Sequence, residues 1–335
     1  MKKLIIILGT LLASAGLWAA DFTVDGISYI ILSEKEVSVE QAGSAASLDI
    51  PSAVSNKKQT YTVVSIGRAA FENCTHLLSV TLPESLITIG DYAFHNCNRL
   101  ETIVLPNGVR SIGAYAFSDC WSLRSVQMPE SLDTLGEYAF AKCNYLQAIV
   151  IPQHVRELPA HLFFDCHGLV SVALPADLSS IGQGAFRDCR SLEQIVLPAG
   201  LKKIEANTFR NCSNLPEIEL PAGVTEIGSA AFYGCSSLLS VSMPDAIEVV
   251  EEMAFYGCSK LKVLVLGKQT RHVGDKAFAN TARLTNLYCY ATVPPEAKPT
   301  SFGNLKLLLH VPYSSRKAYK ANAAWKVLTR LDFMK

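Results

Sequence analysis

The chain has 335 residues, and its 30 Lys plus Arg are balanced by 30 Asp plus Glu, leaving no net charge with histidine neutral. A nucleic-acid binder needs an excess of basic side chains to hold phosphates, so a polyanion is a poor first guess for the partner. Length alone suggests two domains, but internal periodicity overrides that prior.

Met1, Lys2 and Lys3 precede an apolar run over residues 4–12, small residues follow at Ala19 and Ala20, and the first acid is Asp21. That order is a secretory signal peptide over residues 1–20. The run is shorter than the roughly 20 residues a membrane-spanning helix requires, and no later segment is apolar enough. No cysteine lies near the cleavage region to carry a lipid anchor. The mature chain is therefore expected to be exported to the periplasm, the outer surface or the medium, with no transmembrane segment.

Residues 21–61 contain two alternating apolar stretches, 22–31 and 37–50, and are expected to form an N-terminal cap. The repeat then occupies residues 62–290. Phe71, Phe94, Phe117, Phe140, Phe163, Phe186, Phe209, Phe232, Phe255 and Phe278 stand 23 residues apart without exception. A cysteine follows three residues after each of the first nine, from Cys74 to Cys258, and Thr281 takes that place in the tenth unit. Leucine lies six residues past the phenylalanine, as at Leu77 and Leu100.

In 79–83, Ser-Val-Thr-Leu-Pro, apolar and small polar residues alternate, which predicts a short strand with one buried face. Pro83 and its equivalents end each strand, because proline has no amide hydrogen for a ladder. Asn73, Asn96, Asp119 and Gly234 share a column that reads as a turn. Gly67, Gly90, Gly113 and Gly136 share another, but Pro159, Glu205 and Glu251 also occupy it, so close packing rather than a left-handed backbone explains the glycine.

One unit cannot fold alone, since ordering 23 residues costs about 1–2 kcal/mol each in backbone entropy. Stacked units can, giving ten coils in a leucine-rich-repeat-like solenoid with a parallel β-sheet on one face and short strands, turns and short helices elsewhere. Both open ends need covering. Residues 291–335 are expected to form the C-terminal cap, with a strand over 306–311 and a helical pattern carrying Tyr319, Trp325 and Leu328.

The pattern Ile-Gly-x-x-Ala-Phe-x-x-Cys-x-x-Leu-x-x-Val-x-Leu-Pro, as in residues 89–106, resembles the BspA-like (Treponema pallidum type) leucine-rich repeat family. The ends are similar too, at Asp25 to Tyr29 and at Val311, Pro312, Tyr319 and Trp325. The resemblance implies export in host-associated bacteria, often of the Bacteroides group, and adhesion to host or bacterial surface molecules. It supplies no ligand site.

The outward strand positions are the first candidates for binding: Val104, Gln127, Val150, Gln194, Val196, Glu217 and Glu219. Small neighbours leave a smooth trough suited to an extended peptide or a protein surface, though small side chains also suit a tightly packed sheet. Tyr92, Tyr115 and Tyr138 share one column and should stack about 5 Å apart, with Trp121 and Tyr145 on following loops. That column can bind a glycan or protein, or simply pack.

The regular cysteines read as buried thiols, because equivalent side chains in stacked coils point the same way and a disulfide needs converging Cβ atoms. His154, His161, Cys166 and His167 crowd into one unit, but their columns scatter them, so no metal is expected. No nucleophile elbow, phosphate loop or cross-cleft carboxylate pair is present, and neither a cofactor nor catalysis is expected. The expected function is binding of a host or bacterial macromolecule, protein or glycan, through the sheet face; the alternative is a spacer or assembly component of an envelope complex.

Overall fold

The computed structural model describes residues 20–43, 45–303, 305–328 and 330–334, so the expected signal peptide lies almost entirely outside the described residues. The chain winds into a β-solenoid of about 12 turns. The alternating segments form the predicted strands, among them Ser79–Thr81, Thr102–Val104, Ser125–Gln127, Ala148–Val150 and Ser171–Ala173. Ser79–Thr81 pairs in parallel with Ser47–Asp49 of the N-terminal segment, and the later ones pair in parallel with a neighbour 23 residues away, as Val126 with Ile103 and Ile149 with Val172. The central residue points into the core and its flanking residues face outward.

A second parallel ladder runs along another side of the coils. Its two-residue strands include Thr88–Ile89, Ser111–Ile112, Thr134–Leu135, Ser180–Ile181 and Glu226–Ile227. Strands this short leave no period-2 signal to read, and the sequence shows them only as an apolar pair before glycine. At the glycines, a Cβ on Gly113 would stand 2.6 Å from the carbonyl carbon of Gly90, and neither backbone is left-handed. Close approach of coils is thus the reason for this column.

The segment from alanine to cysteine is a run of turns, with no helix. Two columns adopt left-handed backbone in each coil, for example Tyr92 at φ 57° and Asn96 at φ 59°. Between them, alternate amides reach the next coil: Tyr92 to Ala114 at 2.9 Å, Phe94 to Ala116 at 2.7 Å and Asn96 to Ser118 at 2.8 Å. The intervening amides close turns within the coil, His95 onto Tyr92 and Cys97 onto Phe94. Both sets of donors are thereby satisfied, as buried backbone requires.

Phenylalanine, cysteine and leucine from each coil rest on their equivalents in one continuous core. Successive phenylalanine rings stack from Phe71 to Phe278 with centroids 4.8–6.0 Å apart. Opposite charges meet at the same 23-residue interval, as in Arg110 with Asp133 at 3.1 Å and Lys268 with Asp245 at 2.8 Å. Such exposed pairs contribute little stability, about 0–1 kcal/mol each.

At the N-terminal end, Phe22–Val24, Ile27–Ile31 and Glu36–Ala42 form an antiparallel meander. Its last strand pairs in parallel with Gln59–Ile66, which leads into the second ladder through Thr88–Ile89. At the other end, Leu308–Pro312 and Arg330–Met334 add to the first sheet in parallel beyond Asn286–Cys289. Phe302 stacks on Phe278 at 6.1 Å and Trp325 follows at 4.9 Å, so the aromatic column outlasts the regular repeat.

The helix expected here is shorter than its pattern. Arg316–Ala321 includes Tyr319 but not Trp325 or Leu328, because the Asn322 side chain accepts the amide of Ala324 at 2.9 Å and turns the chain. Among the described residues no helix is long and apolar enough to cross a membrane.

Candidate binding faces

Along the first sheet, the predicted outward positions do face solvent. Val104 is 64% exposed, Val150 65% and Val196 84%, and Gln127, Gln194, Glu217 and Glu219 are exposed as well. They do not share one unbroken ladder. The strand expected at residues 217–219 is absent, and the sheet resumes at Ser240–Ser242.

The ladder is also interrupted between Thr81 and Thr102 and between Gln127 and Ala148, but at residues 217–219 Pro216 supplies a physical cause. In this column the amide of Glu193 bonds Val170 and that of Leu239 bonds Pro216, each at 3.0 Å. Proline can accept from the following coil but has no hydrogen to donate to Glu193, so pairing fails on that side. The interruption opens a crevice of about 940 Å³ lined by Val196, Glu193, Glu217, Glu219, Ser240 and Ser242, among others. Gln194, Val196, Glu217 and Glu219 are thus brought together, whereas Val104, Gln127 and Val150 lie on earlier coils. Three carboxylates line the crevice, and no lysine or arginine is among its lining residues.

Tyr92, Tyr115 and Tyr138 stack at 4.9 and 4.7 Å on the turn side of the coils, and His161 continues the stack at 4.5 Å. The Arg68 guanidinium lies 5.0 Å from the Tyr92 ring centroid. Burial, then the neighbouring Tyr138, Tyr92 and Glu137, push the Tyr115 hydroxyl above the ordinary phenol range. Burial and the nearby Arg187 hold His161 below the ordinary imidazole range. Trp121 and Tyr145 are exposed on loops, with Arg124 5.4 Å from the Tyr145 ring.

The same flank carries residues that the sequence reading passed over. Phe164 meets His161 edge-on, Arg187 lies over Phe164, Arg210 lies over Tyr233, and Tyr233 stacks on Tyr256. Phe164, Arg187, Arg210, Tyr233 and Tyr256 all occupy the column immediately after the repeated phenylalanine. Reading that column from unit to unit would have exposed the run from Phe164 to Tyr256.

The thiols are free and, apart from half-buried Cys74, buried. From Cys97 to Cys258 each donates to the carbonyl of the phenylalanine 26 residues earlier, at 3.0–3.2 Å. Burial raises the whole column, with Cys97, Cys166 and Cys235 pushed up to about 12. Such thiols are poor nucleophiles. His154 bonds the Glu130 carbonyl, His161 sits in the aromatic stack, and His167 pairs with Asp165, so these side chains do not converge with Cys166.

A family model described as BspA type leucine rich repeat region matches in 6 copies, over residues 64–193 and 179–304. The comparison with curated proteins returns no match. Among solved structures, a leucine-rich repeat protein from Bacteroides ovatus is 26% identical with a TM-score of 0.67, covering 94% of this chain and 100% of its own. A leucine rich cell surface protein from Faecalibacterium prausnitzii is 22% identical with a TM-score of 0.51, covering 82% of this chain and 96% of its own. The pneumococcal vaccine antigen PcpA is 18% identical with a TM-score of 0.56, covering 94% and 98%. The last two likenesses are of fold alone.

Proposed function

The chain belongs to the BspA-type leucine-rich repeat family, and from that premise we propose that it is an exported, non-enzymatic binding protein that engages a partner protein through its first sheet. Residues 21–61 and 291–335 act as the two caps that cover the open ends of the coil stack. The observation that carries the reading is the crevice beside Pro216, where an apolar Val196 stands exposed among Glu193, Glu217 and Glu219.

A broken ladder with acceptor-rich walls favours an extended segment bearing lysine or arginine. Such a segment would cover Val196 and pair with the carboxylates. An exposed apolar side chain framed by carboxylates that can each take a cation supports recognition as the chemistry of the crevice.

The test is capture of an extended lysine- and arginine-rich peptide by the chain from residue 21 onward, beside a variant carrying Glu217→Gln and Glu219→Gln. Binding that weakens with salt and drops at least tenfold in the variant supports the proposal. Equal capture by both forms ends it. If native envelope extracts instead yield a stable complex insensitive to these substitutions, the chain is a spacer or assembly component.

A further inference from the structure

The aromatic stack on the turn flank ends in two empty rungs. Tyr233 and Tyr256 stack at 4.9 Å with 10° between their planes, and the Arg210 guanidinium covers the Tyr233 side at 4.3 Å. One coil further the equivalent residue is Ala279. After it comes Gly303, displaced by the same 24 residues that separate Phe278 from Phe302. A methyl group and a hydrogen cannot reach the outer face of Tyr256 as a ring would.

The result is a cavity of about 580 Å³ bordered by Tyr256, Lys276, Ala279, Asn280, Thr300 and Val327. Tyr256 is fixed in place, since the Asn280 side-chain amide donates to its hydroxyl at 2.6 Å. Asp275 nearby is held below the ordinary carboxylate range, first by the Thr300 side chain and then by the charges of Lys298 and Lys276. Among the residues lining the cavity Lys276 alone carries a charge, so the rim is positive. Among the described residues Lys276 makes no ion pair.

We propose that this slot is a carbohydrate subsite for a hexuronate, with the C–H face of the pyranose ring against Tyr256 and the sugar carboxylate on Lys276. A pyranose matches both parts of the slot. Its axial hydrogens suit the negative face of a phenol ring, and its equatorial hydroxyls meet the polar rim of Asn280 and Thr300. An aromatic side chain would fill the rung but strip water from those polar groups without replacing it. The carboxylate adds a charge-assisted bond to the ammonium, which a neutral sugar lacks. The site lies on a different flank from the sheet crevice and does not depend on it.

Titration calorimetry of the chain from residue 21 onward with tetragalacturonate, a neutral galactose tetramer and benzoate tests the assignment. The acidic tetramer should bind at least tenfold more tightly than the neutral one. Lys276→Gln should abolish that preference. Ala279→Tyr, which adds the next rung with a residue that this column already holds in the two preceding coils, should lower uronate affinity at least tenfold with an unchanged unfolding midpoint. Glu217→Gln with Glu219→Gln should leave uronate binding as it was, so loss of sheet-face binding and loss of this site are separable. Undiminished uronate binding by Ala279→Tyr overturns the proposal. So do tighter binding of benzoate and the absence of saccharide binding at millimolar concentration.

Discussion

The thiol of Cys120 donates to the backbone carbonyl of Phe94 across 3.1 Å, and the same oxygen accepts the amide of Cys97 from within its own coil at 3.1 Å. One carbonyl thus closes a turn and ties two coils together. Repeated along the stack, this couples each turn to its neighbour inside the core, where no water competes.

Removing a single rung should be felt. Cys120→Ala leaves a small void and takes one donor from Phe94, an expected loss of about 1–3 kcal/mol in urea unfolding. Cys120→Ser keeps a donor of similar size and should lose less. A serine variant less stable than the alanine variant would show that packing of sulfur, rather than its hydrogen bond, governs the column.

The thiols also set a stability limit at high pH. Burial pushes Cys97, Cys166 and Cys235 from the ordinary 9.0 up to about 12, so above pH 9 the unfolded chain loses protons that the folded chain keeps. The folded state then binds more protons, and stability falls as pH rises. Their contribution is complete below pH 9 and is lost progressively toward pH 12. Urea midpoints recorded across that window should decline steeply. At pH 8 a thiol reagent should label native protein at half-buried Cys74 first, and all 10 cysteines only on unfolding.

Pro216→Leu restores an amide where the next coil carries Leu239. The new donor can reach the Glu193 carbonyl, extend the ladder through residues 217–219 and narrow the crevice. Stability should rise by about 0.5–1.5 kcal/mol, the net value of one such bond. Capture of a basic peptide should fall in parallel. Higher stability with unimpaired capture would detach the crevice from binding.

Tyr115 combines a stacked ring with a left-handed backbone at φ 57°. Tyr115→Ala removes two ring contacts and keeps the strained conformation, for an expected loss of about 1–3 kcal/mol. Tyr115→Gly removes the same contacts but relieves the backbone, so it should be more stable than the alanine variant by about 1 kcal/mol. Thermal midpoints that rank alanine above glycine would contradict this.

Register should matter more than length. Deleting residues 144–166 removes one complete period and lets the flanking coils meet in phase, so a cooperative unfolding transition should survive with a lower midpoint. Deleting residues 155–166 brings unlike columns together and should abolish it. Circular dichroism on both variants distinguishes these outcomes.

Amino-acid order alone determined the columns of this protein, and with them the coil, the buried thiols, the first sheet and the stacking of Tyr92, Tyr115 and Tyr138. Each follows from residues spaced one period apart, whose environments must be equivalent once the coils stack. What the tertiary structure decided lies where equivalence fails or where a signal is too short to read. Two residues such as Ser111 and Ile112 become a strand only when aligned with those of adjoining coils. Pro216 turns a missing amide into a crevice because the bond it cannot make belongs to another coil. Ala279 and Gly303 form a slot only because Tyr233 and Tyr256 precede them and the C-terminal coils close behind. Periodicity is a property of one chain direction, whereas a binding face depends on neighbours brought together across it.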